Sequence, residues 1–283
     1  MKLAMIEVNG SAHPAVVLDE ERYIDLAPHG FGWRDLEQII EGGEEVLREI
    51  KSIIRSEPPG TEPDRLLAPL TRPEKIMCIG KNYADHCREF GSPLPDRPVL
   101  FAKYRNALAG PGAQIELPSV SGKVDYEAEL AVVIGRKCKN IGPKEALSAV
   151  FGYTCANDLT MRDAQAQDGQ WTRAKSPDSF CPVGPVIVTA DEISDPQNLS
   201  IRLTLNGKEM QNSNTGQMVF PVAELVSYLS ATMTLVPGDL LLTGTPSGVG
   251  MGRKPAVFLK GGDLVSVEIE GLGRLENRMK AQA

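Results

Sequence analysis

The segment Val124-Asp125-Tyr126-Glu127-Ala128-Glu129-Leu130-Ala131-Val132-Val133-Ile134-Gly135 constrains this chain most, because two alternating glutamates lead into an apolar, β-branched run that reads as a strand. In an extended strand Glu127 and Glu129 point to the same face, with Cα atoms roughly 6.5–7 Å apart. Two carboxylates buried side by side raise one another's pKa and cost stability unless a cation neutralises them. The spacing alone fits a solvated strand face equally well.

Downstream context favours the cation. Phe151-Gly152-Tyr153-Thr154-Cys155-Ala156-Asn157-Asp158 is dominated by aromatic and β-branched residues until its Asn-Asp end, so Asp158 is expected at a strand terminus. Glu127, Glu129 and Asp158 would then offer three oxygen ligands, a hard donor set suited to Mg²⁺ or Mn²⁺ with positions left for water and substrate. Zinc would prefer histidine or cysteine donors.

The chain has 283 residues, 42% of them hydrophobic and 24% charged, enough for a substantial core in one large or two unequal domains. A net charge of −7 argues against nucleic acid or an anionic membrane as partner and favours a small-molecule substrate. The opening Met1-Lys2-Leu3-Ala4-Met5-Ile6-Glu7 lacks an uninterrupted apolar segment and no later window reaches membrane-spanning length, so a cytoplasmic location is expected. The five cysteines form no CxxC pair and are odd in number, which argues against a complete disulfide framework or a structural zinc cluster.

Residues 1–70 read as a small N-terminal α+β domain, with strands near Lys2–Val8 and Pro14–Leu18, a helix over Trp33–Ile54 and linker chemistry at Ser56–Asp64. Residues 71–283 form the second domain, in which short β-prone runs punctuated by Gly and Pro predict a mostly β architecture. A helix is expected over Pro221–Met233 and a hairpin from Leu264–Glu270 and Gly273–Arg278. Gly248-Val249-Gly250-Met251-Gly252 has the wrong spacing for a dinucleotide-binding loop.

If Gly80–Glu89 is helical, His86 and Glu89 stand at i and i+3, and a carboxylate accepting from one imidazole nitrogen leaves the other free as a base. A solvated helix has the same pattern. Gly91–Pro98 then reads as a lid. Lys175 lies in a polar stretch, where a lysine is ordinarily solvated. Thr243–Gly248 offers backbone amides and a hydroxyl able to hold a carboxylate, or is a loop that only turns the chain.

Taken together, Gly-Lys-Asn-Tyr-x-x-His (Gly80–His86), Asp-Tyr-Glu-x-Glu (Asp125–Glu129), Asn157-Asp158, Trp-Thr-x-x-Lys-Ser (Trp171–Ser176) and Thr-Gly-Thr-Pro-x-Gly-Val-Gly (Thr243–Gly250) resemble the fumarylacetoacetate hydrolase family, in its smaller acylpyruvase-like branch. The resemblance spans about Arg72 to the C-terminus. It implies an α+β, mostly β fold, a mixed β-sandwich roll, with Mg²⁺ or Mn²⁺ held by Glu127, Glu129 and Asp158, usually in a homodimer. It further implies a His86–Glu89 catalytic dyad on a segment that orders over substrate, Lys175 polarising the reacting oxygens, and substrate contacts from Arg162, Gln165, Gly244 and Thr245. The tyrosine-degrading hydrolases that name the family carry another aspartate ahead of the histidine, whereas Cys78-Ile79-Gly80-Lys81-Asn82 supplies no carboxylate.

The implied chemistry starts from a 2-oxo acid and passes through an enolate stabilised by the ion and Lys175. Water activated by His86 against a C4 carbonyl gives hydrolysis of a carbon–carbon bond in 2,4-dioxo acids (acylpyruvates). Loss of CO₂ makes the same site an oxaloacetate decarboxylase, and proton shuttling between carbons a hydroxymuconate-type isomerase. A catalytically silent binding protein would lack the base or the lysine, yet His86, Glu89 and Lys175 are all present.

Overall fold

The structure, a computed structural model, describes residues 1–19, 22–56 and 58–282. Glu57, inside the expected linker, lies outside the described residues.

The apolar run becomes the strand Ala128–Ile134, all seven residues of which are buried. Burial of both faces explains why the alternation gives way to continuous hydrophobicity. This strand is central in an eleven-stranded sheet, paired antiparallel with Val150–Asn157 on one side and Leu240–Leu242 on the other. Beyond Leu240–Leu242 come Ile76–Gly80, parallel, and the edge strand Val99–Lys103. On the opposite side Val150–Asn157 pairs with Cys181–Thr189, which in turn meets Lys2–Val8.

The strand expected from Val124 is not continuous. Val124–Asp125 pairs instead with Thr160–Met161, and the central strand starts only at Ala128. The physical reason is the Asp125 carboxylate, whose Oδ1 accepts the amides of Tyr126 at 2.9 Å and Gly250 at 2.7 Å. These bonds turn the chain between the two strands.

The first 70 residues contribute Lys2–Val8, Ser11–Val17, Tyr23–Asp25 and Arg65–Leu67 to the same large sheet, since Lys2 and Leu3 face Val188 and Ile187 across a ladder. The helix Leu36–Arg55 turns Leu36, Ile39, Ile40, Ile50 and Ile53 inward and is capped by Asp35, which accepts from the Gln38 amide at 2.9 Å. Gly43, at φ +58°, interrupts it.

A second sheet runs Lys208–Asn214, Ser200–Leu205, Leu264–Ile269, Gly273–Ala281 and Gln114–Leu117, and contains the expected hairpin in the register Leu264 to Arg278. It packs on the large sheet, with Ser200–Leu205 against Ala128–Ile134 and Leu264–Ile269 against Val150–Asn157. Helix Val222–Thr232 follows Pro221 as its spacing predicts. The result is the α+β, mostly β class, two sheets sharing one apolar interior. Among the described residues no helix is long and apolar enough to cross a membrane.

Candidate active site and metal centre

Glu127, Glu129 and Asp158 come together where the central strands meet. Their ligand oxygens lie within 4.8 Å of one another, and all three residues are buried. Backbone bonds lock the arrangement: the Asp158 amide donates to the Glu127 carbonyl at 2.9 Å, and the Glu127 amide to Asn157 Oδ1 at 3.0 Å. Glu129 Oε2 accepts the Gly244 amide at 2.7 Å.

Three cations surround these carboxylates. Lys175 Nζ is 2.7 Å from Glu127 Oε2 and 2.5 Å from Asp158 Oδ2. It ends the short helix Thr172–Lys175 and is buried, so it is no solvated loop lysine. Lys103, which the sequence reading passed over, lies 2.5 Å from the other Asp158 oxygen and donates to the Leu159 carbonyl at 3.1 Å. Arg162 sets Nε on Asp125 Oδ2 at 2.8 Å and Nη2 2.6 Å from Glu127 Oε1, while Nη1 donates to Gln165 at 3.1 Å.

This distribution splits the two glutamates. Burial by itself raises the Glu127 pKa, but Arg162 and Lys175 outweigh it and hold the carboxyl far below its ordinary value. Burial, with Asp158 and Glu127 alongside, drives Glu129 well above its ordinary value. Glu129 makes no ion pair among the described residues. A divalent cation fits here: three hard oxygen donors converge, and Glu129, whose ionised form burial and its two neighbours disfavour, makes no ion pair among the described residues, so a bound cation would favour that form.

The cluster opens into a cavity of about 310 Å³ lined by Glu127, Glu129, Arg162, Gln165, Lys175 and Thr245, with His86 also on its wall. His86 lies on the helix Ala84–Glu89, and its Nδ1 is 3.3 Å from Glu89 Oε2, the i, i+3 pair the sequence suggests. Glu89 Oε1 accepts the Gly248 amide at 3.0 Å. Phe90 meets the imidazole edge to face at 5.0 Å. Gly91–Pro98 links this helix to the edge strand without a strand or helix of its own.

The loop Thr243–Gly248 does hold carboxylates, but they are the protein's own. The Gly244 amide is committed to Glu129 and the residue does not line the cavity. Its φ is +100°, and a Cβ there would meet Asn82 Cβ at 2.8 Å and the Ile79 carbonyl at 3.0 Å, so only glycine brings the amide this close. Thr245 Oγ1 donates to the Ala128 carbonyl at 2.9 Å and accepts from Gln211 at 2.8 Å. Further along, the amides of Gly250 and Met251 bind Asp125 at 2.7 and 3.0 Å, which explains a glycine-rich run that cradles no phosphate.

Sequence reasoning missed Lys103, Asn157, Gln211 and the clamping role of Asp125. Lys103 carried one usable signal, a lone charge closing the β-prone run Val99–Lys103.

Comparisons with known proteins agree with this geometry. Residues 75–280 match the profile of the fumarylacetoacetate (FAA) hydrolase C-terminal family. A Xenopus laevis protein named oxaloacetate tautomerase fahd2, mitochondrial, is 49% identical over 98% of this chain and 89% of its own length. Among solved structures, a fumarylacetoacetate hydrolase from psychrophilic Exiguobacterium antarcticum superposes with a TM-score of 0.88 at 38% identity, covering 100% of both chains. The maleylpyruvate hydrolase of Sphingobium sp. SYK-6 in complex with manganese(II) and pyruvate gives a TM-score of 0.83 at 29% identity, again over 100% of both chains.

Proposed function

Because the chain belongs to the fumarylacetoacetate hydrolase family, we propose that it enolises a 2-oxo acid at a divalent-cation site, with oxaloacetate its first candidate substrate. The observation that carries this is the buried Glu127, Glu129 and Asp158 cluster opening on the same cavity as Lys175 and the His86–Glu89 pair. The tautomerase name of the Xenopus relative supports the substrate, and the manganese–pyruvate complex of the maleylpyruvate hydrolase supports the ion and the 2-oxo acid.

Mg²⁺ or Mn²⁺ held by Glu127, Glu129 and Asp158 would supply Lewis acidity to the keto oxygen. Lys175, beside Glu127 and Asp158, offsets negative charge as it develops on the reacting oxygens. Gln165 and the spare N–H groups of Arg162 orient the substrate carboxylate from the cavity wall, while Thr245, its proton given to the Ala128 carbonyl, shapes that wall without donating to substrate. His86, with Nδ1 turned to Glu89, uses Nε2 to take a proton from C3 and return one to the adjacent oxygen. Gly244 acts one step back, fixing Glu129.

A second reading, carbon–carbon hydrolysis of acylpyruvates, uses the same groups with His86 activating water against the C4 carbonyl, and the maleylpyruvate hydrolase likeness favours it over decarboxylation. The reading also carries a homodimer and a division at residue 70; the start of the family profile at residue 75 supports that boundary in sequence, while the pairing of Lys2–Val8 with Cys181–Thr189 joins the two parts in one sheet. The test is the keto–enol interconversion of oxaloacetate followed by ultraviolet absorbance, beside pyruvate release from a panel of acylpyruvates, each with and without EDTA. Metal-dependent interconversion that Glu127→Gln lowers on the order of 10³-fold is expected. Pyruvate release without tautomerisation would select the hydrolase instead, and activity indifferent to EDTA would remove both.

A further inference from the structure

We propose that Lys81 forms a distal anion subsite that takes the second carboxylate of a dicarboxylic 2-oxo acid; this rests on the functional reading above and deepens it. Three cationic side chains belong to the cavity wall: Lys81, Arg162 and Lys175. Arg162 is committed to Asp125, Glu127 and Gln165, and Lys175 to Glu127 and Asp158. Lys81 makes no ion pair or side-chain hydrogen bond among the described residues. Lys81 is exposed while Arg162 and Lys175 are buried, which sets it at the open side of the cavity, whose wall also carries His86 and Ser92.

The backbone adds an independent observation. Lys81 has φ +57°, the left-handed region that a residue with a Cβ adopts at a cost and glycine adopts freely. Its neighbours impose the conformation. Asn82 is pinned by three hydrogen bonds, to Phe220 nitrogen and oxygen and to the Thr243 carbonyl, at 2.8, 3.1 and 2.7 Å. Gly80 lies so close to Trp171 that a Cβ would meet its ring at 2.7 Å. A lysine standing where glycine would relax the chain agrees with a use for the ammonium itself. A 2-oxo acid held at the buried carboxylate cluster would extend its far end toward the exposed side of the cavity, where a second carboxylate would meet the one lining lysine or arginine that has no carboxylate partner among the described residues. A neutral tail would gain nothing from it.

The experiment compares oxaloacetate with its C4 monomethyl ester, which removes only the far charge, in metal-loaded wild type, Lys81→Met, Lys81→Gly and Lys81→Arg. The expected result is that the diacid-to-ester ratio of kcat/KM falls roughly 5- to 10-fold in Met and Gly and survives in Arg. Lys81→Gly should melt no lower than wild type, because it relieves the strained φ; a residue kept for structure would show the reverse. Binding followed by Trp171 fluorescence reads the same ratio as Kd without turnover. Diacid preference in that titration with no catalysis would therefore overturn the tautomerase reading and leave the subsite standing. An unchanged ratio in Lys81→Met and Lys81→Gly, by either measurement, overturns the subsite.

Discussion

The two carboxylate systems of the cavity are built to different tolerances. Glu129 projects from a central strand of an eleven-stranded sheet, with Glu127 just before that strand and Asp158 just after its neighbour, and their oxygens are met by Lys103, Lys175, Arg162 and the Gly244 amide at 2.5–2.7 Å. His86 and Glu89 ride on a six-residue helix next to an irregular loop, part-exposed, with 3.3 Å between them. The side that would hold cation and substrate is thus fixed in advance. The side that moves protons has slack, as suits a base whose contacts tighten only on substrate.

That contrast predicts its own largest break. Lys175→Met removes the ammonium shared by two buried carboxylates, leaving Asp158 to Lys103 and Glu127 to Arg162, and should cost at most about 3–5 kcal/mol of stability, together with most turnover. Denaturant melts in EDTA and in excess Mg²⁺ would check it: the added ion should recover part of the loss by neutralising the same carboxylates. A variant as stable as wild type in EDTA would mean that the cluster does not depend on this lysine.

On the looser side the expectation is opposite in kind. His86→Ala should lower turnover by about 10²- to 10⁴-fold while leaving thermal stability and divalent-ion affinity by calorimetry close to wild type, since the imidazole makes no hydrogen bond or ion pair to the three ligands among the described residues. It should also suppress acylpyruvate hydrolysis more than oxaloacetate decarboxylation, because only hydrolysis needs an activated water. Equal loss in both reactions would remove the water-activating role.

The same contrast governs what could be read from sequence. Glu127, Glu129 and Asp158 were legible because they border or lie in two adjacent strands, although the break before Ala128 leaves Glu127 outside the extended run from which its facing was argued, and the i, i+3 spacing of His86 and Glu89 is local. Lys103, Gln211 and Asp125 act through partners 55, 34 and 125 positions away in Asp158, Thr245 and Gly250, and no local pattern encodes such pairings. Lys175 looked like a solvated residue because its helix is only four residues long and carries no periodicity to show which way it faces. Nor could spacing reveal that Asp125 ends one strand before the next begins at Ala128. That break needs the Gly250 amide, contributed by a loop from the far end of the chain.

The smallest effect sharpens the comparison most. The His86 helix is tied down beyond Glu89 by Asp85, whose Oδ2 accepts from Ser213 Oγ at 3.2 Å and Ser247 Oγ at 3.1 Å. Each such bond contributes about 1 kcal/mol, little beside the ion pairs around Asp158 but comparable to what holds a single short helix in place. Ser213→Ala with Ser247→Ala should therefore raise amide exchange over residues 84–90 by about tenfold or more, leave exchange in Ala128–Ile134 untouched, and lower kcat more than it raises KM. If protection were lost in the central strand as well, the helix and the sheet would open as one unit, and the division between a rigid binding half and an adjustable proton-transfer half would fail.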